Sequence, residues 1–119
     1  MSMREIMYER TLLFSERIID LVRMVPRGIA ENAVLSQLVR SATSIGANYR
    51  EACHASSAND FAHKLKICEG EADETLYWLQ LLSRSNMMNQ SILGELIAEA
   101  QEFVAILTAA CKSAYRKRT

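Results

Sequence analysis

Apolar residues recur along most of this chain at alternating spacings of three and four, which is the periodicity of amphipathic α-helices. The alternation of every second residue that is typical of strands is nearly absent. The single proline, Pro26, lies with Gly28 in a break between the first two periodic segments. The segments that the pattern predicts to be helical cover about residues 4–25, 33–55, 58–83 and 91–115.

Each predicted helix carries one apolar stripe. The stripe of the second helix consists of Leu35, Leu38, Ala42, Ile45, Tyr49 and Ala52. The stripe of the third helix begins with Phe61, after a Ser57–Asp60 pair that resembles a capping box, and the fourth stripe includes Ala110. Four amphipathic helices joined by short breaks predict an all-α, antiparallel, up-down-up-down four-helix bundle, with residues 1–119 as one domain.

Short side chains are concentrated within the second predicted helix, in the stretch RSATSIGANYREA that runs from Arg40 to Ala52. Gly46 in this stretch costs roughly 1 kcal/mol relative to alanine within a helix. The distance between two helix axes depends on the size of the side chains at the contact. We therefore expect a neighbouring helix to approach closely at Gly46.

A second, polar stripe runs beside the apolar stripe of the second helix, with Arg40 adjacent to it. It carries mostly short amides and hydroxyls, whereas a solvated face normally carries long Lys and Glu side chains. The polar stripe consists of Gln37, Ser41, Ser44, Asn48 and Glu51. The composition favours a polar layer inside the bundle or at a subunit interface. A surface that binds a ligand or nucleic acid and a plain solvated face are the alternatives.

Two carboxylates of the third helix, Glu71 and Glu74, lie on the same side as Trp78 and flank the apolar stripe. A carboxylate at such a position is costly to desolvate unless it is paired. Arg40 is the expected partner, because a guanidinium can bind a carboxylate through two parallel hydrogen bonds. We predict that these groups form a structural polar network or an interface.

Motifs for catalysis or metal binding are absent from the sequence. A di-metal site in a bundle needs E-x-x-H motifs, and none occurs. His54 and His63 are isolated, and no Ser-His-Asp, Cys-His or glycine-rich phosphate motif is present. We predict no metal site, no cofactor, no small-molecule substrate and no enzymatic activity.

The 14 basic and 14 acidic residues balance, which argues against attraction of the whole surface to nucleic acid or to a membrane. The only run of like charge is at the C-terminal end and consists of Lys112, Arg116, Lys117 and Arg118. Cys53, Cys68 and Cys111 are expected to be buried, reduced thiols, with a disulfide or a zinc site as the alternatives. No signal-peptide pattern and no apolar run of about 18 residues occurs, so we expect a soluble, cytoplasmic protein.

The stretches QLVRSATSIGANYREA and DFAHKLKICEGEADETLYWLQLL resemble the small bacterial family called four helix bundle protein. Its first members are reading frames inside intervening sequences of 23S ribosomal RNA genes. The resemblance runs from about Phe14 to Ala114 and rests on R-S-x-x-S-I-x-x-N and E-x-x-E-T-x-x-W-L. The positions that carry the family pattern are Arg40, Ser44, Asn48, Glu71 and Trp78. The resemblance implies an up-down bundle that assembles into a ring-shaped homopentamer.

A relative in this family, the accessory variability determinant of diversity-generating retroelements, is a pentameric bundle that binds nucleic acid and a reverse transcriptase. The favoured interpretation of the present chain is a non-catalytic bundle that assembles with itself and acts as a structural or scaffolding protein. The alternative is an accessory protein that binds nucleic acid, such as a ribosomal RNA intervening sequence, or a reverse transcriptase. Nucleic acid should then contact the C-terminal basic residues, because the acidic stretch from Glu69 to Glu102 repels phosphate elsewhere.

Overall fold

Four consecutive α-helices make up nearly all of the part of the chain that the structure, a computed structural model, describes, which is residues 1–117. The helices are α1 (Met3–Met24), α2 (Ile29–Cys53), α3 (Ala58–Arg84) and α4 (Gln90–Lys117). Residues 1–117 contain no strand. Each helix packs against the next one along the chain, and α1 also meets α4. The predicted all-α, antiparallel bundle is confirmed.

The start of α2 differs most from the predicted helix boundaries. The helix begins at Ile29 rather than near residue 33, with Gly28 as its N-cap. The carbonyl oxygen of Gly28 accepts a hydrogen bond from the Asn32 amide at 2.8 Å. Ile29 and Ala30 in this first turn are exposed, so they contribute nothing to the apolar stripe. Apolar periodicity therefore could not mark this turn as helical.

Serine hydroxyl groups cap the starts of α1 and α3. Ser2 Oγ accepts a hydrogen bond from the Glu5 amide at 3.1 Å, and Ser57 Oγ accepts one from the Asp60 amide at 3.0 Å. Such bonds satisfy an amide that has no partner within the helix. The prediction that Ser57 caps the third helix is confirmed.

The end of α3 is a Schellman motif built on Asn86. Asn86 has a φ of 53°, in the left-handed region that asparagine tolerates better than most residues. Its amide donates to the Ser83 carbonyl at 3.3 Å, and the Met87 amide donates to the Leu82 carbonyl at 3.3 Å. These two bonds satisfy carbonyl groups at the helix end and turn the chain towards α4.

The apolar stripes form the core, and all six predicted stripe residues of α2 are buried. Phe14 of α1 and Phe103 of α4 meet edge to face, with ring centroids 5.2 Å apart and planes at 80°. This arrangement is one that aromatic pairs prefer. The two buried rings fill the space between α1 and α4.

Two predicted core positions are off by one residue. On α3, Ala62 is fully buried while Phe61 is only partly buried, and on α4, Cys111 is buried while Ala110 is only partly buried. In both pairs, either residue keeps a spacing of three or four to the next residue of the stripe. The pattern alone could not distinguish between them, and the predictions for Phe61 and Ala110 were wrong.

The close approach predicted at Gly46 is made by α1. A Cβ atom on Gly46 would lie 2.9 Å from Thr11 Oγ1 and 3.1 Å from Thr11 Cβ. The Thr11 side chain is buried, and its hydroxyl donates to the Met7 carbonyl at 2.7 Å. Gly46 therefore offsets its cost within the helix by allowing α1 to lie close to α2.

Ion pairs link the outer edges of α1 and α4. Arg10 pairs with Glu99 and also with Glu102, the second at 2.6 Å, and Arg17 pairs with Glu95 at 2.7 Å. All three carboxylates belong to the acidic stretch between Glu69 and Glu102. Pairing neutralises part of that stretch, so it repels an anionic partner less than the sequence alone indicates.

Candidate functional site

Arg40 of α2 binds two carboxylates of α3 on the surface of the bundle. Its Nη1 lies 3.1 Å from Glu71 Oε2, and its Nη2 pairs with Glu74. Its Nε donates to Gln37 Oε1 at 3.1 Å. Arg40 was expected to pair with Glu71 or Glu74, and in the structure it pairs with both. The Arg40 side chain is 47% exposed and that of Glu71 19% exposed, so the network lies at the surface of the isolated chain.

Trp78 binds the same carboxylate as Arg40. Its indole Nε1–H donates to Glu74 Oε2 at 3.0 Å. This hydrogen bond, followed by the one from Arg40, lowers the pKa of Glu74. The hydrogen bond to Glu74 is in turn the main cause of the raised pKa of Arg40. A lowered carboxyl pKa keeps Glu74 ionised at neutral pH, which suits a structural acceptor and is opposite to what a general acid needs.

The other members of the polar stripe lie in three different environments. Ser41 is fully buried, and Thr75 of α3 donates to its Oγ at 2.9 Å. Ser44 Oγ and Asn48 Nδ2 donate to backbone carbonyls one turn earlier in α2, at 2.6 Å and 2.8 Å. Glu51 is exposed. A polar layer inside the bundle is thus limited to Ser41 and its partner, and a role for the remaining residues at a subunit interface stays a prediction.

The C-terminal basic residues lie on the last turns of α4. These are Lys112, Arg116 and Lys117, and Arg118 lies outside the described residues. Because α3 and α4 are antiparallel, the first half of α3 runs beside this end of α4. Between them lies a groove of about 610 Å³, here called the α3–α4 groove. Its lining comprises Lys66 and Glu69 from α3 and Thr108, Cys111, Lys112, Tyr115 and Arg116 from α4.

Glu69 is bonded within the α3–α4 groove. Lys66 Nζ donates to Glu69 Oε1 at 2.7 Å. This bond, a second one from Thr108 and the nearby charge of Lys112 lower the pKa of Glu69. The bond to Glu69 likewise raises the pKa of Lys66. The prediction of a basic C-terminal site overlooked Lys66, which is distant in sequence from the tail. The predicted antiparallel order of the two helices indicates that the first half of α3 lies beside the tail, but not which of its residues reaches the groove.

The three cysteines are free thiols. Cys68 and Cys111 are buried as expected, whereas Cys53 is only partly buried. Burial raises the pKa of Cys68 to about 12 and also raises that of Cys111. The Cys68 thiol donates to the Ile45 carbonyl at 3.1 Å. A thiol held protonated in this way is a poor nucleophile.

Residues 1–117 offer neither a cluster of metal ligands nor a helix suited to a bilayer. No group of three or more His, Cys, Asp and Glu side chains in this range could hold a metal ion. Within the same range, every helix is too short or too polar to cross a membrane.

The helix order and the network across α2 and α3 define a small, antiparallel four-helix bundle. The chain belongs to the 23S rRNA-intervening sequence protein family, whose family model matches residues 4–109. The family resemblance seen in the sequence is thereby confirmed. A solved structure of a protein with unknown function from the S23 ribosomal protein family of Bacteroides thetaiotaomicron VPI-5482 is also similar. It is 36% identical and has a TM-score of 0.82, and the match covers 89% of this chain and 98% of that chain. No curated protein matches the sequence.

Proposed function

We propose that this protein is a non-catalytic bundle that assembles with copies of itself into a homopentamer and serves as a structural or scaffolding component of the cytoplasm. The observation that carries this proposal is the half-exposed network on the α2–α3 face. This face is defined by Gln37, Arg40, Ile67, Glu71, Glu74 and Trp78. The family resemblance supports five as the number of copies in the assembly.

The chemistry of the α2–α3 face suits a contact between proteins. Arginine, tryptophan and tyrosine are enriched at the energetic centres of interfaces. Here the Arg40 guanidinium is already held by Gln37 and Glu71, so little of its freedom remains to be lost on association. Ile67 is 42% exposed and lies on the same side of α3 as Glu71, one turn earlier. A second copy of the chain would cover this apolar side chain.

The ionisation of the described groups supports a non-catalytic role. The pKa of Glu74 is lowered by Trp78 and Arg40, and the pKa of Cys68 is raised to about 12 by burial. Catalytic acids need a carboxyl pKa shifted upwards, and catalytic thiols need a pKa shifted downwards. Both groups are therefore shifted away from the values that catalysis at neutral pH requires.

A charged substitution on the α2–α3 face tests the proposal. Ile67→Glu should lower the mass measured by light scattering, because it places a carboxylate beside Glu71 and in the contact between copies. Gln101→Glu adds the same charge at an exposed position on α4 and should leave the mass unchanged. If Ile67→Glu keeps the wild-type mass, the α2–α3 face is not the interface.

Nucleic-acid binding is the second candidate function, and the α3–α4 groove is the observation that favours it. The groove adds Lys66 to Lys112 and Arg116, so the positive charge extends beyond the C-terminal tail. Assembly into a ring would repeat this charge in every copy, and repeated weak contacts can give useful avidity. A ribosomal RNA intervening sequence is the expected partner, and a reverse transcriptase as partner stays a prediction.

Filter binding over a range of salt concentrations tests this second function. Removing the chain after Ala110 would be a poor test, because Cys111 and Ala114 are buried in the core. Lys112→Ala combined with Arg116→Ala removes two charges and leaves these core residues in place. The double variant should bind more weakly and with a shallower dependence on salt, by about 0.7 in log–log slope for each phosphate of a single strand that is no longer neutralised. Unchanged binding would exclude the tail as the contact.

A further inference from the structure

We propose that the α3–α4 groove binds one nucleotide unit, either free or within a single strand, with the base against Tyr115 and the phosphate on the cations at the groove edge. The inference deepens the second candidate function, nucleic-acid binding, and it does not depend on self-assembly. It also predicts a preference for single strands over duplexes, because a paired duplex cannot place a base in the groove. The C-terminal charges alone predict no such preference.

The size and lining of the groove suit a nucleotide. Its volume of about 610 Å³ lies within the range of about 300–1,000 Å³ that is typical of sites for small ligands. Tyr115 lines it and packs partly against the core, so its ring is a fixed apolar surface. Cys111 contributes a buried, protonated thiol to the same lining. A planar base needs a surface of this kind, since stacking on an aromatic ring does not depend on which base is present.

The charges of the groove suit a phosphate at its edge. Lys66, Lys112 and Arg116 supply three positive charges, and Glu69 supplies one negative charge. The Lys66 side chain is 62% exposed, whereas that of Glu69 is 15% exposed, so the cation lies nearer to solvent than the carboxylate. Arg116 Nε donates to the Lys112 carbonyl at 3.3 Å, and both residues line the groove. A phosphate approaching from solvent therefore meets the cations first.

Glu69, the acidic residue of the groove, can act as a hydrogen-bond acceptor for the nucleotide. Glu69 stays ionised because Lys66 and Thr108 bond to it and lower its pKa. A carboxylate accepts hydrogen bonds and donates none, so it can bind the amino group of a base or a hydroxyl of ribose. A site with only cations would bind any phosphate, whereas an acceptor beside the Tyr115 ring favours a ligand that also carries a base and a sugar.

Fluorescence anisotropy of a labelled, short single-stranded RNA tests the proposal with the full chain at low salt. Tyr115→Leu keeps an apolar side chain but removes the ring, and it should weaken binding about tenfold, within the range measured for the removal of one base stack. Tyr77→Leu removes an exposed ring elsewhere on α3 and should leave the affinity unchanged. Thermal melts of both variants establish that they fold.

Charge variants and competitors complete the test. Arg116→Ala should reduce the slope of log affinity against log salt by about 0.7, while Arg84→Ala, at the other end of α3, should not change it. Displacement of the RNA by adenosine monophosphate, but not by inorganic phosphate, supports a site for free nucleotides. Tyr115-dependent binding of the strand without such displacement supports a site for a nucleotide within a strand.

Three results would overturn the groove as a nucleotide site. The first is equal competition by phosphate and adenosine monophosphate, and the second is equal affinity for a single strand and for a duplex of the same sequence. The third is strand binding that Tyr115→Leu does not weaken, which would leave nucleic-acid binding in place and exclude the groove. Failure of every probe to bind at low salt would exclude both the groove site and the second candidate function.

Discussion

The side chain of Thr11 occupies the space that a methyl group on Gly46 would need. A Cβ atom at Gly46 would lie 2.9 Å from Thr11 Oγ1, and the hydroxyl cannot turn away without losing its 2.7 Å bond to the Met7 carbonyl. Within the stretch of short side chains from Arg40 to Ala52, Gly46 thus has a defined purpose in the fold. It allows α1 to approach α2.

Gly46→Ala should therefore destabilise the protein, although alanine is the better helix former. Overpacking a well-packed contact costs about 1–3 kcal/mol. The improved helix propensity returns roughly 1 kcal/mol. We expect a net loss of about 1 kcal/mol in the free energy of unfolding by these two estimates, measured by urea denaturation.

A second variant separates the two contributions. In a Thr11→Ala background the obstructing hydroxyl is absent, but the Cβ atom of residue 11 remains 3.1 Å from the new methyl group, so Gly46→Ala should destabilise less than in the wild-type chain. Gly70→Ala is the matched control in the wild-type chain, since a Cβ atom there would meet nothing within 4 Å. It should stabilise by up to about 1 kcal/mol. A stabilising Gly46→Ala in the wild-type background would contradict the close approach of the two helices.

Asn86 should prove hard to replace with alanine. Its φ of 53° is unfavourable for residues with a Cβ atom, and asparagine and glycine tolerate it best. We expect Asn86→Ala to lower the free energy of unfolding by about 1 kcal/mol. Asn86→Gly should preserve or raise it. Equal melting temperatures for the two variants would argue against a left-handed backbone conformation at Asn86.

The hydrogen bond from Trp78 to Glu74 should appear in the dependence of stability on pH. The pKa of Glu74 is lowered in the folded chain, first by Trp78 and then by Arg40. Its contribution is therefore present above the ordinary carboxyl pKa of about 4.3 and is lost as the pH falls through the lower, folded value. Trp78→Phe removes the donor, so the loss of stability from neutral to acidic pH should become shallower.

Tyr77→Phe is the control for this measurement, because Tyr77 neighbours Trp78 and the bond to Glu74 comes from the Trp78 indole. The slope of stability with pH should be the same as in the wild-type chain. Trp78→Phe also loses packing, but the resulting loss of stability does not depend on pH. It therefore cancels when the slopes of stability against pH are compared. If stability falls as steeply at acidic pH in Trp78→Phe as in the wild-type chain, the indole does not determine the pKa of Glu74.

The thiols should react with iodoacetamide in a fixed order. Cys53 is partly buried, whereas Cys68 is fully buried and its pKa is raised to about 12. Alkylation requires the thiolate. In the folded chain at neutral pH, mass spectrometry should detect modification of Cys53 well before that of Cys68, and unfolding in urea should remove the difference. Early modification of Cys68 would contradict its burial.

Most of the fold could be predicted from the sequence, because the core residues of a helical bundle recur at spacings of three and four along each helix. Every residue of the α2 stripe is buried as its period requires. The start of α2 could not be predicted, since its first turn is exposed and its boundary depends on the cap at Gly28. Phe61 and Ala110 were misplaced because two adjacent residues satisfied the same spacing.

The candidate sites were less predictable, since they depend on contacts between helices. The pairing of Arg40 with Glu71 was predictable, because unpaired charges beside an apolar stripe need partners. The polar stripe, by contrast, combines the buried Ser41 with the exposed Glu51, and residue type alone does not reveal which one turns inward. Predicting the groove between Lys66 and Tyr115 would have required the position of α3 along its axis relative to α4, which the sequence does not contain.

The mass of the wild-type chain in solution tests the proposal of self-assembly most directly. Light scattering coupled to size exclusion should give about 67 kDa, which is five times the 13.4 kDa of one chain. The value should hold at micromolar concentrations, because a scaffold must stay assembled when dilute. A single species of 13.4 kDa at the same concentrations would contradict both the homopentamer and the interface assigned to the α2–α3 face.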